Sequence, residues 1–203
     1  MVAREPPVPA AEPEVNLPMP KILRRLTPMA LLLLLGAADA GGGPRYTPAG
    51  EFIPPADYRE WVYMSSGLDM SYSDQAPMMD HSKFDNVFVD PAAWASFKTT
   101  GHWPDKSMFA LEVRGANSKG SINKHGQYQT ALMGVEYHVR DEARFKGGWG
   151  FFAAVGQEPA KLIPYEAPCY ACHQAHAAVD TTFTQFYPTA KAIAVAKGTY
   201  QDR

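Results

Sequence analysis

The feature that most constrains this chain is the pentamer CYACH at residues 169–173, which contains the only two cysteines of the sequence. Cys169 and Cys172 stand three positions apart, and His173 follows directly. Thiol and imidazole groups form disulfides, exchange electrons, bind metals and hold prosthetic groups, and each of these uses a different context. The context of the pentamer therefore decides what it holds.

Three arrangements fit that context poorly. A disulfide between Cys169 and Cys172 would close a very short loop, constrain little of the unfolded chain and contribute little stability. A redox dithiol of the thioredoxin type belongs to a βαβ unit, whereas this pair follows a series of predicted strands. A zinc site would need His176 as a fourth ligand, and structural zinc sites usually join ligand pairs from separated stretches.

Covalent attachment of haem fits best, because CxxCH is the attachment pattern of c-type haem. Each thiol would add to a vinyl group as a thioether, and His173 would bind the iron as proximal ligand. The imidazole must then be neutral, and its second nitrogen should donate to a carbonyl or carboxylate that the sequence does not identify. Surface or loop positions are expected for the other histidines, namely His81, His102, His125, His138 and His176.

The N-terminal residues predict export. Residues 19–40, MPKILRRLTPMALLLLLGAADA, combine a basic head, an apolar run and a small-residue cleavage pattern, which is typical of a signal peptide. We expect the true start at Met19 and cleavage after Ala40, because the Pro- and Glu-rich residues 1–18 fit poorly ahead of the basic head. The apolar run is far shorter than the roughly 20 residues of a spanning helix, although a retained anchor stays an alternative. Export suits c-type haem, which is attached on the far side of the membrane.

The rest of the chain predicts one domain. Residues 41–50, GGGPRYTPAG, are expected to form a flexible leader, and residues 51–203 the folded part. The whole chain of 203 residues has 19 basic and 21 acidic side chains, which gives no electrostatic preference for nucleic acid. We therefore expect no DNA or RNA partner.

Five segments rich in aromatic and β-branched residues are predicted strands: residues 58–66, 84–90, 107–115, 128–141 and 148–155. Asp90-Pro91 predicts the start of a short helix, and the alanine-rich tail predicts further helices over 169–180 and from Pro188. Successive strands with short links favour antiparallel pairing. The predicted fold is α+β, mainly antiparallel sheet with a few short helices and a C-terminal haem-attachment helix.

Several segments beyond the pentamer resemble the cytochrome P-460 and cytochrome c′-beta family of exported mono-haem proteins. They are YREWV, VFVDP, FKTTG, EARF, WGFF, and CYACH followed by DTTFTQFYP. The last is the most specific, because Asp180, Phe183 and the run from Phe186 to Pro188 separate it from other CxxCH proteins. The resemblance implies a mainly antiparallel β fold, one haem c held by two thioethers, and a homodimer.

One position divides that family. Its hydroxylamine-oxidising members carry a lysine bonded to the porphyrin edge, whereas c′-beta members lack this bond and bind nitric oxide or carbon monoxide. Leu111 stands where the lysine would be, and Lys106, five residues earlier, is interpreted as a solvated charge. Phe109 shares a strand face with Leu111, so the pair predicts an apolar distal pocket that excludes water and favours uncharged diatomic ligands.

The sequence therefore predicts a periplasmic mono-haem c-type cytochrome that binds nitric oxide or a similar ligand. The residues expected at the haem are Cys169, Cys172, His173, Leu111 and Phe109, with His173 as the metal ligand. A redox partner cytochrome is a further candidate partner. A hydroxylamine-oxidising enzyme and a six-coordinate electron carrier stay open as alternatives, and no catalytic residue is identified from the sequence.

Overall fold

A computed structural model describes residues 42–71 and 82–203. The predicted signal peptide and His81 lie outside these residues. Within them, no helix is both long enough and apolar enough to cross a membrane. The predicted α+β architecture is confirmed, since a five-stranded and a two-stranded antiparallel sheet combine with three short α-helices.

The large sheet has its strands in chain order, each antiparallel to the next. They are β3 (Val62–Leu68), β4 (Lys83–Val89), β5 (Met108–Asn117), β6 (Tyr128–Arg140) and β7 (Trp149–Ala154). The first predicted strand begins too early, because Tyr58–Glu60 forms a 3-10 helix. This helix places the Tyr58 side chain in the core, where its hydroxyl donates a hydrogen bond to Glu112 Oε2 at 2.6 Å. The alternating side-chain directions of a strand therefore begin only after the 3-10 helix.

The small sheet corrects the predicted flexible leader. Its strands are β1 (Arg45–Tyr46) and β2 (Phe52–Ile53), so ordered structure begins inside residues 41–50. The ring of Tyr46 packs edge-on against Phe52 and Phe145, and the Arg144 guanidinium lies 3.9 Å from its centroid. These aromatic and cation–π contacts hold a stretch whose composition alone suggests mobility.

Strand register divides the large sheet into two faces. Leu111 on β5 pairs with Val87 on β4 and Glu136 on β6, and Phe109 pairs with His138. Because successive side chains of a strand alternate between faces, these five residues lie on one face and their chain neighbours on the other.

The face of the sheet opposite to Leu111 carries the first core. Phe52 of β2 is fully buried and stacks on Phe152 of β7, with 4.9 Å between ring centroids. It also packs at a tilt against Tyr137 of β6, with 5.2 Å between ring centroids. The other buried members of this core are Tyr58, Trp61, Met108, Ala110, Val135, Val139, Phe145, Ala154 and Ala160.

The opposite face is covered by a second core at the Phe109 level. Here α1 (Pro91–Thr100) and α3 (Pro188–Lys197) pack on the sheet through Phe97, Ala190 and Ala194. Phe97 stacks on Trp103 with 3.8 Å between ring centroids. Further along the same face the sheet lines a cavity instead, and α2 (Pro168–His176) and the 3-10 helix Thr184–Phe186 stand beside it.

The helices α1 and α3 begin where the sequence predicts. The helix predicted over 169–180 is shorter than expected: α2 begins at Pro168 and ends at His176, because the backbone of Ala177 is extended (φ −78°, ψ 138°). Each α-helix has proline in its first turn, and α1 and α3 end at Gly101 and Gly198, whose φ angles of 76° and 72° are left-handed. A further 3-10 helix, Lys146–Gly148, precedes β7. Asp90 ties α1 to the sheet, because its carboxylate accepts from the backbone N–H of Ala93 and of Met108, both at 2.8 Å.

We predict that Asp90→Ala lowers the free energy of unfolding by about 2–4 kcal/mol, since it removes a helix cap and leaves a buried N–H on β5 without an acceptor. Asp90→Asn keeps one acceptor oxygen and should lose less. Urea unfolding followed by circular dichroism measures both. Asp57→Ala is the matched control, because Asp57 is exposed and its side chain caps no helix; an equal loss there would contradict the assignment.

Candidate haem site

The helix α2 presents the pentamer to a cavity of about 380 Å³. Cys169, Cys172 and His173 all line this cavity, because positions i, i+3 and i+4 of a helix share one face. Both cysteines are free thiols and half-buried. Among the described residues, no three His, Cys, Asp or Glu side chains gather as a metal site, so neither the disulfide nor the zinc arrangement has support in the geometry.

The orientation of His173 fits a haem ligand. Its Nδ1 lies 2.8 Å from the backbone carbonyl oxygen of Thr181. A carbonyl only accepts hydrogen bonds, so Nδ1 carries the proton and Nε2 keeps a free lone pair for a metal. Burial lowers the pKa of His173, which keeps the ring neutral near pH 7. The hydrogen-bond partner that the sequence could not identify is thus the carbonyl of Thr181.

Aromatic rings surround His173. The ring centroid of Phe183 lies 4.2 Å away, that of Phe151 4.7 Å and that of His138 4.8 Å. Phe183, Phe186 and Tyr187, from the segment that distinguishes the family by sequence, all line the cavity. The two thiols and the imidazole of the pentamer therefore lie against a cavity wall of aromatic rings, which is the kind of surface that a porphyrin needs.

His138 corrects an expectation from the sequence. It was expected at the surface, but it lies on β6 inside the cavity wall with 8 % of its surface exposed, and its Nε2 has no hydrogen-bond partner within the described chain. Burial and the nearby His173 hold its pKa well below the usual range, so the ring is neutral. Two imidazoles on opposite sides of one metal have ring centres about 6 Å apart, given bonds of about 2 Å. The separation of 4.8 Å excludes His138 as a ligand opposite His173 in this arrangement.

The sheet wall of the cavity contains both sequence-predicted pocket residues. Phe109 and Leu111 line it together with Val87. Phe109 is buried against Trp103, at 4.7 Å between ring centroids, and against Tyr187, at 6.3 Å. Leu111 is half-buried and faces the cavity. The structure thus brings all five sequence-predicted site residues to one cavity.

Two carboxylates on the same wall correct the prediction of an apolar pocket. Glu136 lies directly across from Leu111 on β6, and Asp85 lies on β4; both line the cavity. Asp85 is 6 % exposed, and its Oδ1 has no hydrogen bond within the described residues, although Lys83 Nζ stands 3.7 Å away. Burial raises the pKa of both carboxyl groups. For Glu136 the surrounding protein has this effect although part of its side chain is exposed to solvent in the cavity. Sequence reasoning missed them because only strand pairing places them beside Leu111.

The lysines of the described residues lie outside the cavity wall. Lys106 is exposed to solvent, as expected, and also forms ion pairs with Asp141 and Asp105. In the part of the chain that the structure describes, no lysine lines the cavity.

Comparison with known proteins agrees with the geometry. A search of curated proteins found no match. The family model described as cytochrome P460 matches residues 55–184, which is well over half of the 203 residues and includes every strand of the large sheet and the pentamer. The chain belongs to the cytochrome P460 family.

Proposed function

We propose that this protein is an exported mono-haem c-type cytochrome that binds a small diatomic ligand, such as nitric oxide, at the haem iron. Membership of the cytochrome P460 family implies haem binding, and the finer proposal is argued from the cavity. The observation that carries it is Leu111 on the wall, together with the lack of a cavity-lining lysine among residues 42–71 and 82–203. A porphyrin bond from lysine has no donor there.

The thiols of α2 support covalent attachment. Burial raises the pKa of the Cys169 thiol, so this group keeps its proton at neutral pH. A thiol adds across a vinyl double bond by forming a carbon–sulfur bond while its hydrogen goes to the neighbouring carbon, and no external oxidant is needed. Cys169 and Cys172 would each form one thioether, which fixes the group beside His173.

The helix α2 and the sheet line different parts of the cavity, and their side chains have different roles in this proposal. His173, held neutral and oriented by Thr181, would bind the iron through Nε2. The haem iron supplies the position at which a ligand binds. Phe109 and Leu111 limit water in the cavity and favour an uncharged diatomic ligand over a charged one. Export, a homodimer and a redox partner cytochrome are part of the proposal and rest on the signal-like N-terminus and the family resemblance.

Glu136 favours a second candidate, oxidation of hydroxylamine without a lysine bond. Its carboxylate faces the cavity directly beside Leu111, and burial raises its pKa above the usual range of a glutamate, which makes it a better proton acceptor. The third alternative, an electron carrier, would need a side chain as sixth ligand, for which Met70 is a candidate because it also lines the cavity. Binding of carbon monoxide separates the first proposal from the third.

We predict that the purified protein is heavier than its chain by one haem and keeps this mass after unfolding in acid, because thioethers survive acid. Mass spectrometry of the intact protein measures this. Replacing both Cys169 and Cys172 with serine should abolish the acid-stable mass. A wild-type protein that releases its haem into acidified solvent would contradict covalent attachment.

We predict that the reduced protein binds carbon monoxide and nitric oxide, and that Leu111→Ala speeds carbon monoxide association about tenfold, equivalent to about 1.4 kcal/mol of barrier, by opening the cavity. Flash photolysis measures the rate. Leu132→Ala is the matched control, because Leu132 is exposed on β6 and does not line the cavity. A reduced wild type that is indifferent to carbon monoxide would favour the electron carrier instead.

For the second candidate, Glu136→Gln should lower hydroxylamine oxidation by about 10²–10⁴-fold, the usual contribution of a general base. Because the pKa of Glu136 is raised, the wild-type rate should fall as the pH drops through that pKa, where the carboxylate takes up a proton. The assay is reduction of an artificial electron acceptor, with Glu158→Gln, in an exposed loop, as control. Absence of turnover in the wild type removes this candidate.

A further inference from the structure

The carbonyl that holds His173 belongs to a strained turn. Val179 and Thr182 pair across a two-residue loop, with the Thr182 N–H donating to the Val179 carbonyl at 2.7 Å. The loop residues Asp180 and Thr181 have φ angles of 46° and 58°. Two positive φ values at the centre are the mark of a type I′ turn, which favours Asn-Gly. A β-branched threonine there is an outlier, so surrounding contacts must hold it.

The turn uses the Thr181 backbone and not its side chain. The Thr181 carbonyl oxygen lies 2.8 Å from His173 Nδ1. The Thr181 hydroxyl is buried and has no hydrogen-bond partner within residues 42–71 and 82–203. The strained residue therefore contributes a carbonyl in a fixed direction, and its hydroxyl offers no bond that would explain the strain.

Asp180 provides the contacts that hold the turn. Its Oδ2 accepts from the Trp103 backbone N–H at 2.8 Å, its two oxygens lie 3.1 Å from His102 Nδ1, and Arg140 Nη1 stands 3.8 Å away. Trp103 is 1 % exposed and also donates its indole N–H to Thr182 Oγ1 at 2.9 Å. The turn is thus attached at two points to one residue of the second core, through the backbone N–H and the indole N–H of Trp103.

We propose that Asp180 is a positioning residue for His173: its carboxylate fixes the turn that directs the Thr181 carbonyl at Nδ1, and it brings negative charge to the proximal side. The proposal rests on the proposed attachment of haem beside His173. A firmly held Nδ1–H···O bond raises the basicity of Nε2, and both this effect and the negative charge stabilise the oxidised form of a bound iron. Asp180 therefore lowers the reduction potential and strengthens the iron–histidine bond.

The test is Asp180→Asn in the haem-loaded protein. Asparagine favours positive φ in this turn type and can still accept from the Trp103 N–H, so the variant should melt at the wild-type temperature or above it. We expect its midpoint potential to shift upward, because the variant loses the negative charge while it keeps the turn. Asp180→Ala also loses the acceptor of the Trp103 N–H, so its iron–histidine stretching frequency, measured by resonance Raman spectroscopy of the reduced protein, should in addition shift downward. Asp57→Asn, the same change at an exposed site, should move neither.

A second variant approaches Asp180 from the surface. The His102 side chain is 58 % exposed, so His102→Lys should fold and place a permanent positive charge beside the carboxylate. The potential should again shift upward, and His125→Lys, in the exposed β5–β6 loop, should leave it unchanged. If the Asp180→Asn variant does not accumulate as folded protein, the midpoint potential of the His102→Lys variant decides whether the proposal holds.

The outcomes separate this inference from the proposed function. A wild type without acid-stable haem or without an iron–histidine band overturns the haem assignment itself. A wild type that shows both, with the potential unchanged in Asp180→Asn and His102→Lys and the stretching frequency unchanged in Asp180→Ala, overturns only the role of Asp180 and leaves it a structural turn residue.

Discussion

The large sheet has two faces that both carry apolar side chains, and each must be covered. One face is covered by the β1–β2 hairpin and the aromatic rings around Phe52. The other is covered by α1 and α3 only at the level of Phe109, and the remaining part lines the cavity beside α2. Among the described residues, 42–71 and 82–203, this face is covered incompletely, which leaves room for a flat apolar group, and the pentamer lines that space.

The proximal side of the cavity depends on the second core. Trp103 stacks on Phe97 and donates hydrogen bonds to both Asp180 and Thr182, which hold the turn whose carbonyl orients His173. The orientation of the His173 ring is therefore linked, through a few buried contacts, to the packing of α1 on the sheet. At the other end of α2, the Arg203 guanidinium donates to the carbonyls of Gln174 and Ala175, which satisfies free acceptors of the last helical turn.

The sheet wall combines opposite chemistries on adjacent strands. Leu111 and Phe109 contribute apolar side chains, whereas Glu136 contributes a carboxylate directly across from Leu111 and Asp85 contributes one across from Val113, further along β5. Leucine at position 111 cannot form the porphyrin bond that the family resemblance gives to the hydroxylamine-oxidising members, and a carboxylate stands directly across from it on β6. The two proposed functions therefore differ in which of these two paired side chains acts on the ligand.

The sequence by itself determined the fold class, the helix starts at Pro91 and Pro188 and the residues of the pentamer, because these depend on local signals: strand-forming composition, proline in the first helical turn, and cysteine spacing. Through the family resemblance it also placed Leu111 at the strand position where the hydroxylamine-oxidising members carry their lysine. Only the tertiary structure decided that Glu136, Asp85 and His138 share the wall with Leu111, since strand register joins residues distant along the chain. The same holds for the Thr181 carbonyl: a backbone group has no sequence signature, and its direction follows from a turn fixed by Asp180 and Trp103.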